Sequence, residues 1–542
     1  MFYEFYFYFT GQPVAHGEPV RTVYRRIYLL ALALLVISLP LSRFLLSISQ
    51  FILLLNWLAE GRFKEKAALA ARRPSILFFA AVFFIYALGL LYTEHEETGL
   101  LRVRNALPLL MLPLILGTST PLSEKHIRPL LLLFSVAVMT AAAVCVAHFL
   151  IHDAPADGDF RKISIFMLHI RFSLMIVLAV FILLYLAVYH KPYARAPERS
   201  FLMLSAGLLV GFLFFLRSFT GLIIFLVMSV VFLIHLAFRI KRPWLRNGLL
   251  SVVIALILLP MIITFLTWNR NFRTKPVNPA VLESLTASGN RYAHDLKTGA
   301  LENGNFIDIY VCEPELRQEW NKVSAITYDS TDSRGQPISL TLRRYLTSMG
   351  LRKDSAALGR LNRSDIEHIE NGLANYRFRE QPGIYQRLYE TLWEVHILSR
   401  SDYVQQHSLG QRLAFLAAAQ TIIKQNLWTG VGTGDVYDAM LKAAACEIRT
   451  LDPRWEGKPH NQFLFYLLAF GLPGFLAIVF CFVHPVTCRK AYRFFLFNIF
   501  AGILLISMLV LDTLESYDSM VFFAFFYCLF VFGTGTDEKS KA

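Results

Sequence analysis

FLMLSAGLLVGFLFFLRSFTGLIIFLVMSVVFLIHLAF, residues Phe201 to Phe238, is the stretch that decides the fold. A helix needs about 20 apolar residues to pass about 30 Å of hydrocarbon, so this run is too long for one crossing and right for two. Only Arg217, Ser218, Thr220 and Gly221 interrupt it. The stretch therefore predicts a helical hairpin in a membrane, with Arg217 at its apex on the membrane surface. A guanidinium there can hold an anion through two parallel hydrogen bonds. It can equally snorkel to lipid phosphate and anchor the turn, and this stretch alone does not separate the two.

Working outward, similar apolar runs recur along the chain. They are Ile27 to Ser42, Phe44 to Ala59, Ile76 to Tyr92, Ala106 to Gly117, Leu130 to Ile151 and Ile163 to Tyr189 before the hairpin. After it come Leu249 to Trp268, Asn461 to Val483, Phe494 to Leu511 and Met520 to Phe532. With the two halves of the hairpin, Phe201 to Leu216 and Leu222 to Phe238, they predict an all-α polytopic membrane protein of about twelve spans. The fourth is expected to be short and bent by prolines. Composition agrees: 55% of residues are hydrophobic, 17% are charged and mean hydropathy is +0.48, whereas a soluble chain carries about a quarter charged residues. Beta-barrel alternation is absent, and no fixed-period repeat suggests a solenoid.

Cations in short loops set orientation. With the N-terminus inside, Arg21, Arg25 and Arg26, then Arg62, Lys64, Lys66, Arg72 and Arg73 are cytoplasmic. So are Lys191, Arg195 and Arg199, then Arg239, Lys241, Arg242 and Arg246, and last Arg489, Lys490 and Arg493. The acidic Glu94, Glu96 and Glu97, and Asp512, Glu515 and Asp518, fall outside. The net charge of +14 thus follows topology and anionic lipid, and implies no nucleic-acid partner. The first apolar run lacks a small-residue cleavage site and is expected to stay as an anchor.

The chain divides into nine spans over 1–268, one large hydrophilic loop facing away from the cytoplasm over 269–459, and three spans with a cytoplasmic tail over 460–542. The loop is long enough to form a small, mostly helical domain. Ser364 to Glu367 is a capping-box signal, Asp332 to Pro337 predicts a turn, and the prolines in Thr274 to Pro279 predict an extended exit from the ninth span. Cys312 and Cys446 share the loop and are candidates for a disulfide; the other four cysteines lie in or beside spans.

Four further segments carry candidate chemistry. Ser408 to Asn426 is an amphipathic helix with a capping signal at Ser408 and Gln411 and, in its first turn, Arg412. A cation there opposes the helix dipole unless an anion binds nearby; a solvated arginine is the alternative. Leu427 to Asp435, LWTGVGTGD, offers Gly430, Gly432, Gly434 and Asp435 as a phosphate nest, although its spacing is neither a Walker loop nor a dinucleotide fingerprint, and a plain helix C-cap fits too. Pro459, His460 and Asn461 open the tenth span, with Pro459 suited to its first turn. His460 is then a neutral imidazole at the outer surface, able to accept a proton. Gly471, Pro473 and Gly474 predict a kink inside that span. His169 and Arg171, near the outer end of the sixth span, need an anionic partner, either a lipid-linked pyrophosphate or an internal carboxylate. Glu515 and its neighbours offer carboxylates for an acceptor or a metal. No His, Cys and Asp spacing of a metal site and no G-x-S-x-G elbow is present.

Together these segments resemble the O-antigen ligase and polymerase superfamily of membrane glycosyltransferases. The resemblance rests on Leu216 to Gly221 (LRSFTG), Gln411 to Asp435 ending in GVGTGD, and His460 to Gly474 (HNQFLFYLLAFGLPG), in that order. It implies a donor glycan on undecaprenyl pyrophosphate, a glycan or glycolipid acceptor hydroxyl such as that of lipid A core, inversion at the anomeric carbon, and no metal or nucleotide cofactor. It also implies the bacterial inner membrane, with the site on the periplasmic side. By the same resemblance Arg217 and Arg412 hold the pyrophosphate and His460 is the essential histidine; Arg171, His169, the three glycines, Asp435 and Asn461 are expected from their own placement to line the substrate. The middle of the loop, Leu282 to Tyr403, departs from the best-known ligases and leaves the acceptor open. A polymerase of the same superfamily, or a transporter of lipid-linked sugars, are the competing expectations. Transporters place broken helices and polar groups at mid-membrane, whereas the polar candidates here gather at one face. The loop is expected to cover a site at the membrane surface.

Overall fold

The computed structural model describes residues 19–152, 163–189, 196–274, 277–380, 383–398, 408–447 and 456–533. The chain is an all-α polytopic membrane protein: apart from one two-stranded ribbon, the regular structure of the described residues is helical. Its described residues form two compact units, one drawn from within 1–152, 161–228 and 415–542, the other from within 229–414. The division falls inside the large loop, so the loop's last part is counted with the spans.

In the first unit the apolar runs become α1 (Pro19–Leu41), α2 (Arg43–Ala59), the short α3 (Phe63–Arg72), α4 (Pro74–Leu88), α5 (Glu96–Thr118), α6 (Glu124–His152), α7 (His169–Tyr189), α8 (Ala196–Phe215) and the start of α9 (Phe219–Arg239). Among the described residues nine helices of the whole chain are long and apolar enough to cross a membrane, and ten if α2 and α3, bent by 107°, count as one broken span. The last two expected spans are shorter apolar helices. Helix α7 is buried almost all round, consistent with its apolar sequence on every face. Around it pack α6, α8 and a later helix introduced below.

Two expected boundaries change. The expected short fourth span, Ala106 to Gly117, is only the C-terminal half of α5. Glu96 and Glu97 sit in its first turn, where carboxylates complement the helix dipole, and Arg102 is buried, so charged sequence still forms helix. The sixth span begins at His169, because Ile163 to Leu168 stays irregular.

The second unit continues α9 and adds α10 (Pro243–Asn271), whose middle exposes Ile254, Leu258, Ile262 and Phe265, as a lipid-facing span does. Its last turn enters the loop domain: Trp268 and Phe272 pack with Tyr389, Trp393 and Ile397 in one core. The remaining elements are the ribbon β1 (Leu301–Glu302) and β2 (Asn305–Phe306), then α11 (Glu313–Val323), α12 (Ile338–Ser348), α13 (Ser355–Leu358), α14 (Arg363–Glu370), α15 (Arg377–Glu380) and α16 (Ile384–Leu398). A second core around Leu316, Trp320, Leu342 and Ile369 holds α11, α12 and α14 together. The turn at Asp332 to Pro337 forms as expected, with Asp332 Oδ1 accepting from the amides of Arg334 and Gln336 at 2.9 Å each.

The capping box is displaced from Ser364 and Glu367. Asn362 caps α14 and exchanges hydrogen bonds with Asp365 at 2.9 and 3.0 Å, since an Asn side chain reaches the third helical amide from a β-region backbone. Cys312 is a buried free thiol, while the side chain of Cys446 lies outside the described residues. Residues 275–276 of the expected extended exit also lie outside them; beyond, Asn278 caps a short 3-10 turn at Pro279–Val281.

The loop ends in α17 (Ser408–Gln425) and α18 (Val436–Glu447). The chain then closes with α19 (Gln462–Cys488), α20 (Phe495–Val510) and α21 (Tyr517–Val531). Helix α20 is the further partner of α7, α19 packs on α4 and α21 packs on α5.

Candidate functional site

Chemistry in the first unit gathers at one end of the bundle, around a break in α19. Gly471 has φ 63° and ψ −174°, which interrupts the helix. An unbroken helix would offer the Ala469 carbonyl to residue 473, but Pro473 has no N–H to give. The glycine loop supplies it: Gly432 N donates to Ala469 O at 3.0 Å and Val431 N to Leu468 O at 2.9 Å, while Leu472 N turns to Leu427 O at 2.7 Å. The expected kink is therefore where the GVGTGD segment docks.

That docking overturns the phosphate-nest expectation. The amides a nest would need are directed at protein acceptors: Thr433 N donates to Gly89 O at 3.1 Å and Gly434 N to Thr93 Oγ1 at 2.8 Å. Gly430 and Gly432 have positive φ, 70° and 99°, whereas Gly434 does not. Asp435 accepts from the amides of Glu94 and His95 at 2.8 and 2.9 Å and from His95 Nδ1 at 2.7 Å. Burial works against its charge, yet these donors hold its pKa below the ordinary carboxylate value. The loop thus pins the connection between α4 and α5.

His460 stands just ahead of α19. Its φ is 51°, a left-handed conformation uncommon outside glycine and found where surrounding structure enforces it. Pro459 is not in the first helical turn as expected. Asn461 is the cap instead, its Oδ1 accepting from Leu464 N at 2.9 Å while its Nδ2 donates to Leu509 O at 3.0 Å. A capping side chain outcompetes proline here because it satisfies an otherwise unpaired helical amide. The His460 ring lies 6.4 Å from that of Phe415 on α17.

Two residues on from His460, Gln462 joins a buried polar cluster. Gln462 Nε2 and Tyr86 Oη donate to Glu515 Oε1 at 2.9 and 2.8 Å, and Gln462 Oε1 accepts from Leu514 N at 2.7 Å. Arg102 donates to Thr433 O at 3.1 Å and stacks over Tyr437, 4.2 Å from its ring centre. Tyr437 in turn donates to Asp512. Burial pushes the Glu515 pKa up to about 7, opposed by Arg102 and the two side-chain donors. The folded protein therefore keeps a proton that the unfolded chain, near 4.5, has lost. Stability is expected to fall by on the order of 1 kcal/mol per pH unit between those values and to level off above the higher one. Thermal midpoints measured from pH 5 to 8 should show this slope in the native chain and not in Glu515→Gln.

The hairpin apex docks beside the start of α7. Ser218 Oγ donates to Ser173 Oγ at 3.2 Å, and Gly221 approaches Ser173 so closely that a Cβ would lie 2.5 Å from it. Arg217 shares the left-handed backbone of His460, with φ 51°. Two residues before Ser173, Arg171 lies 3.6 Å from the Asp518 carboxylate, which Arg43 also holds at 2.7 Å. The internal-carboxylate alternative for Arg171 is thus realised, with Asp518 shared between two guanidiniums and Asp512 also acting on Arg171. His169 opens α7 and is half-buried.

In the first unit Ser218, next to Arg217, meets Ser173, two residues from Arg171; Arg171 meets Asp518; and Glu515, three residues before Asp518, meets Gln462, two residues after His460. Arg412 is exposed on α17, three residues before Phe415, and belongs to the second unit. The side chain of Ser408, its expected cap, lies outside the described residues. No group of three or more His, Cys, Asp or Glu among the described residues is arranged to hold a metal ion. Arg43, Arg102 and Tyr437 were not foreseen from sequence. The available signal was the pair Arg102 and Arg104, cations on the expected outer side where the positive-inside rule predicts few.

Residues 381–479 match the family model described as O-antigen ligase. The match includes Arg412, the GVGTGD loop, His460 and the α19 break, and leaves the Arg217 hairpin outside. A search of curated proteins returned no match.

Proposed function

We propose, from the premise that this chain belongs to the O-antigen ligase and polymerase superfamily, that it transfers a glycan from undecaprenyl pyrophosphate to an acceptor hydroxyl of a surface glycolipid such as lipid A core. The observation that supports this is a histidine held on a left-handed backbone within the matched family segment, in the same compact unit as two arginines that share one carboxylate.

In this mechanism the acceptor oxygen attacks the anomeric carbon, the bond from that carbon to the pyrophosphate oxygen breaks with inversion, and the hydroxyl proton passes to His460. Arg217 and Arg171 offset charge growing on the leaving pyrophosphate, an electrostatic task in which preorganised guanidiniums act without a metal. Arg412 enters through the resemblance and its place in the matched segment. The reaction takes place at the outer face of the inner membrane, the side to which the cation distribution assigns the hairpin apex.

Purified protein in liposomes, given lipid-pyrophosphate glycan and candidate acceptors, is expected to form the glycosidic bond. Movement of the glycan across the bilayer without bond formation would overturn the transferase in favour of a transporter. A deletion strain is expected to accumulate long lipid-linked polymer that never reaches its acceptor; single repeats still attached to acceptor would instead identify a polymerase.

A further inference from the structure

A groove of about 710 Å³ runs between α2 and α5, and neither His460 nor the glycine loop is among the residues that line it. Its α2 wall is one helical face, Ser47, Gln50, Leu54 and Trp57, spaced at three and four residues. The α5 wall, from Arg104 through Pro108 and Met111 to Ile115, has the same spacing. Below its mouth the lining is almost wholly apolar. At about 1.5 Å per residue these walls are roughly 15 Å long, enough for several five-carbon units of an extended hydrocarbon.

The mouth differs in chemistry. Tyr517 Oη accepts from Gln50 Nε2 at 2.7 Å and meets Ser47 Oγ at 3.0 Å. Next in sequence to Tyr517 is Asp518, the carboxylate that holds Arg43 and Arg171, so the mouth opens beside those two arginines. Arg104 also lines it, exposed and with no ion pair or hydrogen bond to any described residue. An arginine on a spanning helix with no partner among the described residues is suited to an anion from elsewhere. An apolar slot ending at an unpaired guanidinium is complementary to a lipid whose phosphate joins its chain directly.

We propose that this groove seats the proximal prenyl units of the polyprenyl pyrophosphate donor, with Arg104 taking charge of the phosphate nearest the chain. The inference rests on the transferase function above and specifies where its donor lies. Direct linkage of phosphate to hydrocarbon favours this occupant over a diacyl phospholipid, whose glycerol separates the two, and over an acceptor glycolipid with several chains.

The test is photo-crosslinking of the full chain in nanodiscs with a diazirine-bearing geranylgeranyl pyrophosphate, followed by peptide mapping. Labelling is expected in residues 47–57 and 104–115, competed by undecaprenyl pyrophosphate and not by equimolar phosphatidylglycerol or lipid A. Leu54→Trp, which fills the slot, and Arg104→Gln should each reduce that labelling at least fivefold; Met111→Phe serves if Leu54→Trp lowers the thermal midpoint. In the transfer assay the same variants should raise KM for the lipid-linked donor with kcat and the acceptor KM unchanged. Labelling confined to other segments, or equal competition by phosphatidylglycerol or by lipid A, overturns the groove and leaves the transferase standing. No labelling anywhere together with no transfer overturns both.

Discussion

Replacing His460 with alanine is expected to lower glycan transfer at least tenfold, a loss of about 1.4 kcal/mol or more of transition-state stabilisation. The effect should fall on kcat, because the imidazole acts on a proton that moves only as the new bond forms. Alanine also disturbs the backbone, since φ of 51° disfavours a residue with a Cβ and no compensating polar group. His460→Asn separates the two contributions. Asparagine tolerates the left-handed region but cannot take the proton, so it should keep the thermal midpoint and lose the activity. Near-normal transfer by His460→Asn would remove the histidine from the mechanism. Arg217→Ala and Arg412→Ala are expected to cost at least tenfold as well, and normal membrane insertion of each variant, measured by fractionation, is the control.

Gly430→Ala is expected to be the most damaging substitution for the fold among Gly430, Gly432 and Gly434. A Cβ at Gly430 would sit 2.4 Å from the carbonyl carbon and oxygen of Ala469 and 2.6 Å from Gly471 N, all backbone atoms that cannot rotate away. The φ of 70° adds a conformational cost of about 1 kcal/mol. Relief requires undocking the loop, which would unpair the Leu468 and Ala469 carbonyls inside the broken helix, each costing about 1–3 kcal/mol. A loss above about 3 kcal/mol, seen as a collapse of the thermal midpoint in detergent, is therefore expected. Gly207→Ala and Gly211→Ala, where a new Cβ meets nothing within 4 Å, should be neutral. A stable Gly430→Ala would show that loop and helix are not locked together.

The apolar runs were legible because span length and composition are local properties imposed by the bilayer. The break at Arg217 between two apolar helices, the kink at Gly471 and the turn at Asp332 could all be read from short windows, since proline, glycine and aspartate act on their own backbone. Boundaries failed where a tertiary partner stabilised a polar residue in helix. Arg102 is the example: buried against Tyr437 and Phe465, it extends α5 beyond its apolar half.

The candidate site was legible in part, as residue types at marked places. Arg217 and His460 could be named because each interrupts or opens an apolar run. The use of the glycine loop could not, because glycine permits a close approach without stating to what: here it is the backbone of α19 and the α4–α5 connection rather than a phosphate. Nor could sequence pair Arg43 and Arg171 with one carboxylate, since Arg43 and Asp518 are 475 residues apart. Sequence by itself determined a helical membrane protein, the distribution of its cations and the identity of its arginines and histidine. Only the tertiary structure decided which backbone amides are already satisfied and which carboxylate is shared between two guanidiniums, because such pairings depend on distances that no local pattern encodes.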